Sequence, residues 1–265
     1  MAFDILKLAS RMMDTICKKA HETVQSESEV CAQMESAARA ATVKKTVFNM
    51  MDAARYQGKI DWDAVKASGK VDCVLLKTVS TNRKLSKRAD GLYIDPTFET
   101  NYRNARAAGL DVGVYYYTYA TNKDMVNAEL SLLRQAVYGK ELTLPVAVDV
   151  EDNRLVSLDK QDLTDLTAYA LHEVEQMGFY AQLYTYTSFA KAHLFVGGAA
   201  LHPYDVWLAD YTGKTPKVDF KYSAHQHTSK GSVPGISGNV DLNVTTLNYP
   251  KIIRKKGLTR LREGK

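Results

Sequence analysis

Cysteine is scarce in this chain of 265 residues, and its three copies, Cys17, Cys31 and Cys73, stand far apart. An odd number at wide spacing argues against a disulfide framework and against a Cys-x-x-Cys metal knuckle. All three read as reduced thiols, and Cys73, among the apolar neighbours of "VDCVLLKTV", reads as a small core residue. Long apolar runs are lacking too: no stretch approaches the roughly 20 residues needed to span a bilayer, so no stable membrane insertion is expected. The opening "MAFDILKLASRMMD" has an acid at Asp4, no basic n-region and no continuous apolar h-region, so it does not read as a secretory signal. Neither Gly-x-Gly-x-x-Gly nor a P-loop is present, which weakens nucleotide binding, and the absence of Gly-x-Ser-x-Gly leaves an esterase no foothold. Of the six histidines only His225 and His227 share one strand face, and a His pair without a third ligand reads as structural.

What is present divides unevenly. The net charge of +5 belongs to the last fifteen residues, "KIIRKKGLTRLREGK", with seven Lys or Arg against one Glu; the remainder is close to neutral. Residues 250–265 are therefore expected to be a basic, solvated tail, and no nucleic-acid partner is expected. Residues 1–46 contain no Gly, Pro, Trp or Tyr, and Ile5, Leu8, Met12, Ile16, Ala20 and Val24 recur at helical spacing. This predicts a helical extension whose apolar stripe docks on a partner or oligomerises.

From residue 47 the pattern changes to short β-type runs alternating with helical stretches. Candidate strands are "TVFNMMD", "DCVLLKTV", "DVGVYYYTYA", "LPVAVDVE", "FYAQLYTYT", "YDVWLADY", "YSAHQHT" and "GNVDLNV". Several intervening helices stop at a glycine, Gly109, Gly139 and Gly178. Seven or eight strands in a βαβα order over about 200 residues predict a parallel α/β barrel of the TIM type across residues 47–249. In such a barrel, chemistry gathers at the C-terminal ends of strands. Asp52, Asp149, Glu151, Asp210 and Asp241 all fall there.

The sharpest unit is "VDVED". Strand alternation puts Asp149 and Glu151 on one side, roughly 6 to 7 Å apart along the strand, with Val150 facing away. Two neighbouring carboxyls in a poorly solvated cleft resist joint ionisation, which leaves one able to give up a proton near neutral pH. Proton donation to a glycosidic oxygen and oxygen-only ligation of magnesium both fit that pattern. Asp152 points the other way and reads as a loop or cap residue.

Several ordered motifs resemble glycoside hydrolase family 25, the muramidases, or lysozymes of the Chalaropsis type, of bacteria and their phages. The likeness runs from about residue 47 to 249 through "MMDAARYQGKIDW", "IDPTFETNYRNARAAGL", "VGVYYYTYA", "VDVED", "VWLADY" and "HQHTSKGSVPGISGNVDLN". It implies cleavage of the β-1,4 bond from N-acetylmuramic acid to N-acetylglucosamine in bacterial peptidoglycan, with no cofactor and no metal. It further implies Glu151 as general acid, Asp149 supporting the substrate's 2-acetamido group, and Asp52 and Asp241 completing an acidic floor. We favour attack by the acetamido group itself, because two acids on one strand edge lie on the same side of the sugar.

Aromatics suit a sugar groove. Tyr117, Tyr119, Tyr184, Trp207 and Tyr211 fall nearest strand ends and, with Asp210 and Gln226, are the expected substrate contacts, whereas Tyr116 is expected to pack. Two positions depart from the family pattern: Ala54 replaces a Ser, and His225 replaces a Trp expected to wall the cleft. Without a signal peptide, the chain resembles a phage endolysin held in the host cytoplasm until holin release, or a virion-borne lysin. The alternative of another class is a glycan-binding structural or assembly protein of a phage particle.

Overall fold

The computed structural model describes residues 46–262, so the helical extension expected over residues 1–46, with Cys17 and Cys31, lies outside the described residues. Among the described residues ten strands form: β1 Phe48–Ala53, β2 Cys73–Lys77, β3 Val79–Thr81, β4 Leu92–Ile94, β5 Asp111–Tyr117, β6 Val146–Asp149, β7 Ala181–Tyr186, β8 Asp205–Ala209, β9 Ala224–Gly231 and β10 Val240–Thr245. Six α-helices accompany them: α1 Trp62–Ala67, α2 Phe98–Ala107, α3 Lys123–Val137, α4 Lys160–Gln176, α5 Thr187–His193 and α6 Tyr249–Lys256.

Eight strands close in the order β1-β10-β9-β8-β7-β6-β5-β2, and the expected α/β barrel is present. It is not parallel throughout, because β10 runs antiparallel to both β9 and β1. The physical reason is the short connection from Gly231 to Val240, which holds no helix to carry the chain back for a parallel strand. The predicted strand "DCVLLKTV" also splits. Thr78 leaves the barrel, its amide donating to the Tyr115 carbonyl, and β3 pairs with β4 in a separate hairpin at the strand-end mouth.

Alternation along the strands builds two apolar layers. Met51, Val74, Leu76, Val148, Val150 and Leu183 face the helices, where Tyr116 is fully buried, as expected. Met50, Cys73, Leu75, Ala147 and Trp207 fill the barrel interior. Gly113 in β5 is required by that packing: a Cβ there would lie 2.5 Å from the Leu144 side chain and from the Pro145 carbonyl oxygen.

Helix ends follow local chemistry. The Asn122 and Asp159 side chains accept from the amides of Met125 and Asp162, capping α3 and α4. Gly109, Gly139 and Gly178 take the positive φ foreseen for helix stops. Two residues of the motifs quoted above prove to be mutual supports, as the Trp62 indole donates to Asn101 Oδ1 at 3.2 Å, fixing α1 against α2.

The basic C-terminal segment differs from the solvated tail expected. It begins with α6, capped by Asn248 and ended by Gly257 in the left-handed conformation, with Tyr249 and Ile253 buried against the barrel's lower interior. Beyond it, the Thr259 carbonyl accepts from Leu142 and the Arg262 amide donates to Met177. Its cations face outward from a docked strap.

Candidate active site

Acid gathers at the mouth because strand ends place it there. Asp52 and Asp241 sit opposite one another in the β1–β10 register. Their carboxyls hydrogen-bond to each other, and Asp52, 4% exposed, also accepts from Gln226 Nε2 at 2.9 Å and Asn243 Nδ2 at 3.0 Å. Burial, then the charge of Asp241, pushes the Asp52 carboxyl well above the usual carboxylate range against the pull of the two amides. Burial raises Asp241 as well. Such a pair holds one proton between its members.

A second pair lies on the opposite side. β6 ends at Asp149, Val150 turns into the outer layer, and Glu151 follows, half-buried, at the start of the next loop. Asp149 is pushed well up by burial first and by the Glu151 charge second, with Lys77 opposing. Its Oδ1 is buried without any hydrogen-bond partner. Burial lifts the Glu151 carboxyl to about 7, while Lys77 holds it down and Asp152 and Asp241 push it up. Asp152 caps the short 3-10 helix Asn153–Ser157, as expected of a cap residue, yet it also accepts from the Tyr117 hydroxyl at 3.3 Å.

Lys77 was not foreseen. It closes β2 with its ammonium 4.8 Å from the Tyr117 ring centre and 5.8 Å from that of Tyr115, and its charge acts on both Asp149 and Glu151. The signal was available in "DCVLLKTV": a charged residue sharing strand parity with the inward Leu75, at the strand's C-terminal end. Glu129 of α3 was missed too. Buried beneath the β5 exit, it accepts from Thr118 Oγ1 at 2.6 Å and the Tyr119 amide at 2.9 Å, and burial raises it to about 7.

The expected aromatics divide by depth. Tyr117 and Tyr119 stand at the rim, ring centres 4.8 Å apart, with the Arg154 guanidinium 3.5 Å over Tyr119. Tyr184 and Tyr211 both donate to Gln226 Oε1, at 2.8 and 2.5 Å, so Gln226 ties two rings to Asp52. Tyr211 is 54% exposed. Trp207 departs from the groove wall expected of it: at 1% exposure, its indole donating to Asn243 Oδ1 at 2.8 Å, it is the floor under the acids.

A cavity of about 390 Å³ opens beside Glu151, lined by Tyr184, Tyr186, Thr187, Ser188, Asp210 and Tyr211. Asp210 shapes its loop, accepting from Thr187 Oγ1 and from the Thr212 amide and hydroxyl. Those hydrogen bonds, Thr212 foremost, hold its carboxyl below the usual range. Among the described residues no group of three or more His, Cys, Asp or Glu could hold a metal ion.

The two departures differ in place, Ala54 being buried just past the mouth end of β1 and His225 facing an outer groove. Ala54 starts the turn in which Gln57 Oε1 accepts the Ala54 amide, so the turn closes without a serine. His225 points out of the barrel, contrary to the cleft wall expected, because β9 turns Gln226 inward; its Nε2 lies 3.0 Å from the Asp210 carbonyl oxygen. With His227 it lines a separate outer groove of about 430 Å³.

Comparison with known proteins bears on the fold and the family. The autolytic lysozyme of Clostridium acetobutylicum is 32% identical over 188 residues, 71% of this chain, and the match spans about half, 52%, of that protein's length. The fold recurs in a bacterial lysozyme from Streptomyces coelicolor, with a TM-score of 0.65 and 21% identity over 79% of this chain and 97% of the other. It recurs in the autolysin LytC of Streptococcus pneumoniae, solved with a synthetic peptidoglycan ligand, with a TM-score of 0.62 and 23% identity over 75% of this chain and 46% of the other. Residues 51–236 match the glycosyl hydrolases family 25, and the chain belongs to that family.

Proposed function

We propose that this chain is an N-acetylmuramidase that cleaves the β-1,4 bond from N-acetylmuramic acid to N-acetylglucosamine in bacterial peptidoglycan. The observation that carries the reading is the Asp149–Glu151 pair, in which a half-buried acid titrating at about 7 borders an open cavity and a deeper one keeps an unpartnered oxygen. Family membership supports it, as does the autolytic lysozyme relative.

In this mechanism Glu151 gives its proton to the glycosidic oxygen as the bond to the anomeric carbon breaks. The substrate's acetamido carbonyl oxygen attacks that carbon, and its N–H donates to Asp149, removing the cost of a buried oxygen without a donor, about 1–3 kcal/mol. The ionised Glu151 then takes a proton from the water that opens the cyclic intermediate. Asp52 and Asp241, sharing a proton across the mouth, supply negative charge under the developing cation. Tyr117, Tyr119, Tyr184 and Tyr211 offer ring faces and hydroxyls to the sugars, with Asp210 holding the loop that carries Tyr211. The site of action is the bacterial wall.

The test is release of new reducing ends from purified peptidoglycan, beside Glu151→Gln. The variant is expected to lose on the order of 10²–10⁴-fold in turnover. Equal release by both proteins, or none by either, would overturn the assignment.

A further inference from the structure

The hairpin raised by β3 and β4 carries a basic tip. Residues 82–91, "NRKLSKRADG", hold four cations against one acid. Neutral polar groups fold the tip. Asn82 Oδ1 accepts the Lys84 amide, Ser86 Oγ donates to the Leu92 carbonyl and accepts the Arg88 amide, and the Asn82 amide donates to the Gly91 carbonyl. Gly91 has φ of +78°, and a Cβ there would lie 3.1 Å from Thr81 Cγ2. Arg88 is engaged by Asp90 at 2.6 Å. Arg83, Lys84 and Lys87 remain exposed, with no ion pair among the described residues. Here an ordered turn displays three cations without using them to hold itself together.

Placement gives the display a use. β3 leaves the C-terminal end of β2, the end that carries Lys77, and β2 pairs in parallel with β5, so the hairpin rises beside the chain that carries Tyr117 and Tyr119 to the cleft rim. Three extended residues carry the tip about 10 Å out from the mouth. The cleft floor is acidic, so a carboxylate entering it is repelled, whereas one passing over the hairpin meets cations. Peptidoglycan presents both chemistries: near-neutral sugars in the chain, and on each muramic acid a short peptide ending in carboxylates. A stem of three to five residues reaches roughly 10–17 Å from the sugar.

We propose that the 82–91 hairpin tip binds the carboxylates of peptidoglycan peptide stems while the cleft holds the glycan, and so selects stem-bearing polymer. This rests on the muramidase reading of the cleft. The test uses the full chain with Arg83, Lys84 and Lys87 all changed to Gln, side chains that make no hydrogen bond in the folded hairpin. Substrates are peptidoglycan freed of phosphate-bearing glycopolymers, and the same material with its peptide carboxyls converted to amides. On the native material, kcat/KM is expected to fall about fivefold at low salt, the combined effect of three exposed charge pairs, and the gap should close at high salt. On the amidated material the two proteins should be equal.

An equal fall on both materials would assign the cations to the fold and overturn the proposal. No fall on either would overturn it too, as would a fall seen only when phosphate glycopolymers are left in place. Co-sedimentation with the same two wall preparations, in a Glu151→Gln background, reads the contact without turnover. Should the muramidase reading fail through absent reducing ends, charge-dependent loss of sedimentation would still sustain the hairpin's role, and unchanged sedimentation would end it.

Discussion

Gln226 joins three side chains of the cleft, donating to Asp52 and accepting from Tyr184 and Tyr211. Gln226→Met keeps most of the volume but takes one donor from the buried Asp52 carboxyl and strands the buried Tyr184 hydroxyl, so a loss of roughly 1–3 kcal/mol in denaturant unfolding is expected. In the proposed mechanism Glu151 starts protonated; with its carboxyl lifted to about 7, turnover should be sustained on the acid side and fall as pH rises through about 7, which a pH profile of reducing-end release would read. The four acids were legible in the sequence because strand ends can be counted and a carboxylate ending an apolar run stands out. Lys77 was legible by the same count of strand parity, but Glu129 and Asn243 were not: each is an ordinary polar residue until closure of the barrel sets Asn243 against Asp52 and lays α3 under Thr118. Trp207, expected near a strand end, is the middle residue of β8 and packs deep, since one-dimensional spacing does not say how far down the barrel a ring lies.

Elements carry their own consequences. Glu129 braces the β5 exit from α3, and its carboxyl, normally near 4.5, titrates at about 7 in the fold. Between those values the folded chain binds more protons than the unfolded one, so this residue's contribution to stability falls as pH rises from about 4.5 to about 7. Glu129→Gln should flatten that slope, by on the order of 3 kcal/mol across the window, in unfolding free energies measured at several pH values. At Gly113→Ala, the added methyl meets the Leu144 side chain and the Pro145 carbonyl, both held by β6, so about 1–3 kcal/mol of destabilisation is expected in thermal unfolding. Strand and helix order read well from periodicity. The reversed direction of β10 did not, because direction depends on what the connecting segment can span rather than on the strand's own pattern.

For the molecule as a whole, the underside matters as much as the mouth. Tyr249 and Ile253 of α6 close the lower interior, with the Tyr249 hydroxyl donating to Ser223 Oγ at 2.6 Å. Ile253→Ala should cost about 2–5 kcal/mol and lower the unfolding midpoint while leaving the cleft's hydrogen bonds intact, which activity per folded molecule would report. Charge count hid this segment, because its cations dominate composition while two apolar side chains do the docking. The antiparallel final strand has a geometric corollary. Phe48 lies opposite Thr245 in the ladder, so the chain enters the barrel and leaves it at the same pole, the one facing away from the acids. A tether attached to a surface through either point would therefore begin at the pole opposite the acidic mouth, like a handle on the back of a blade.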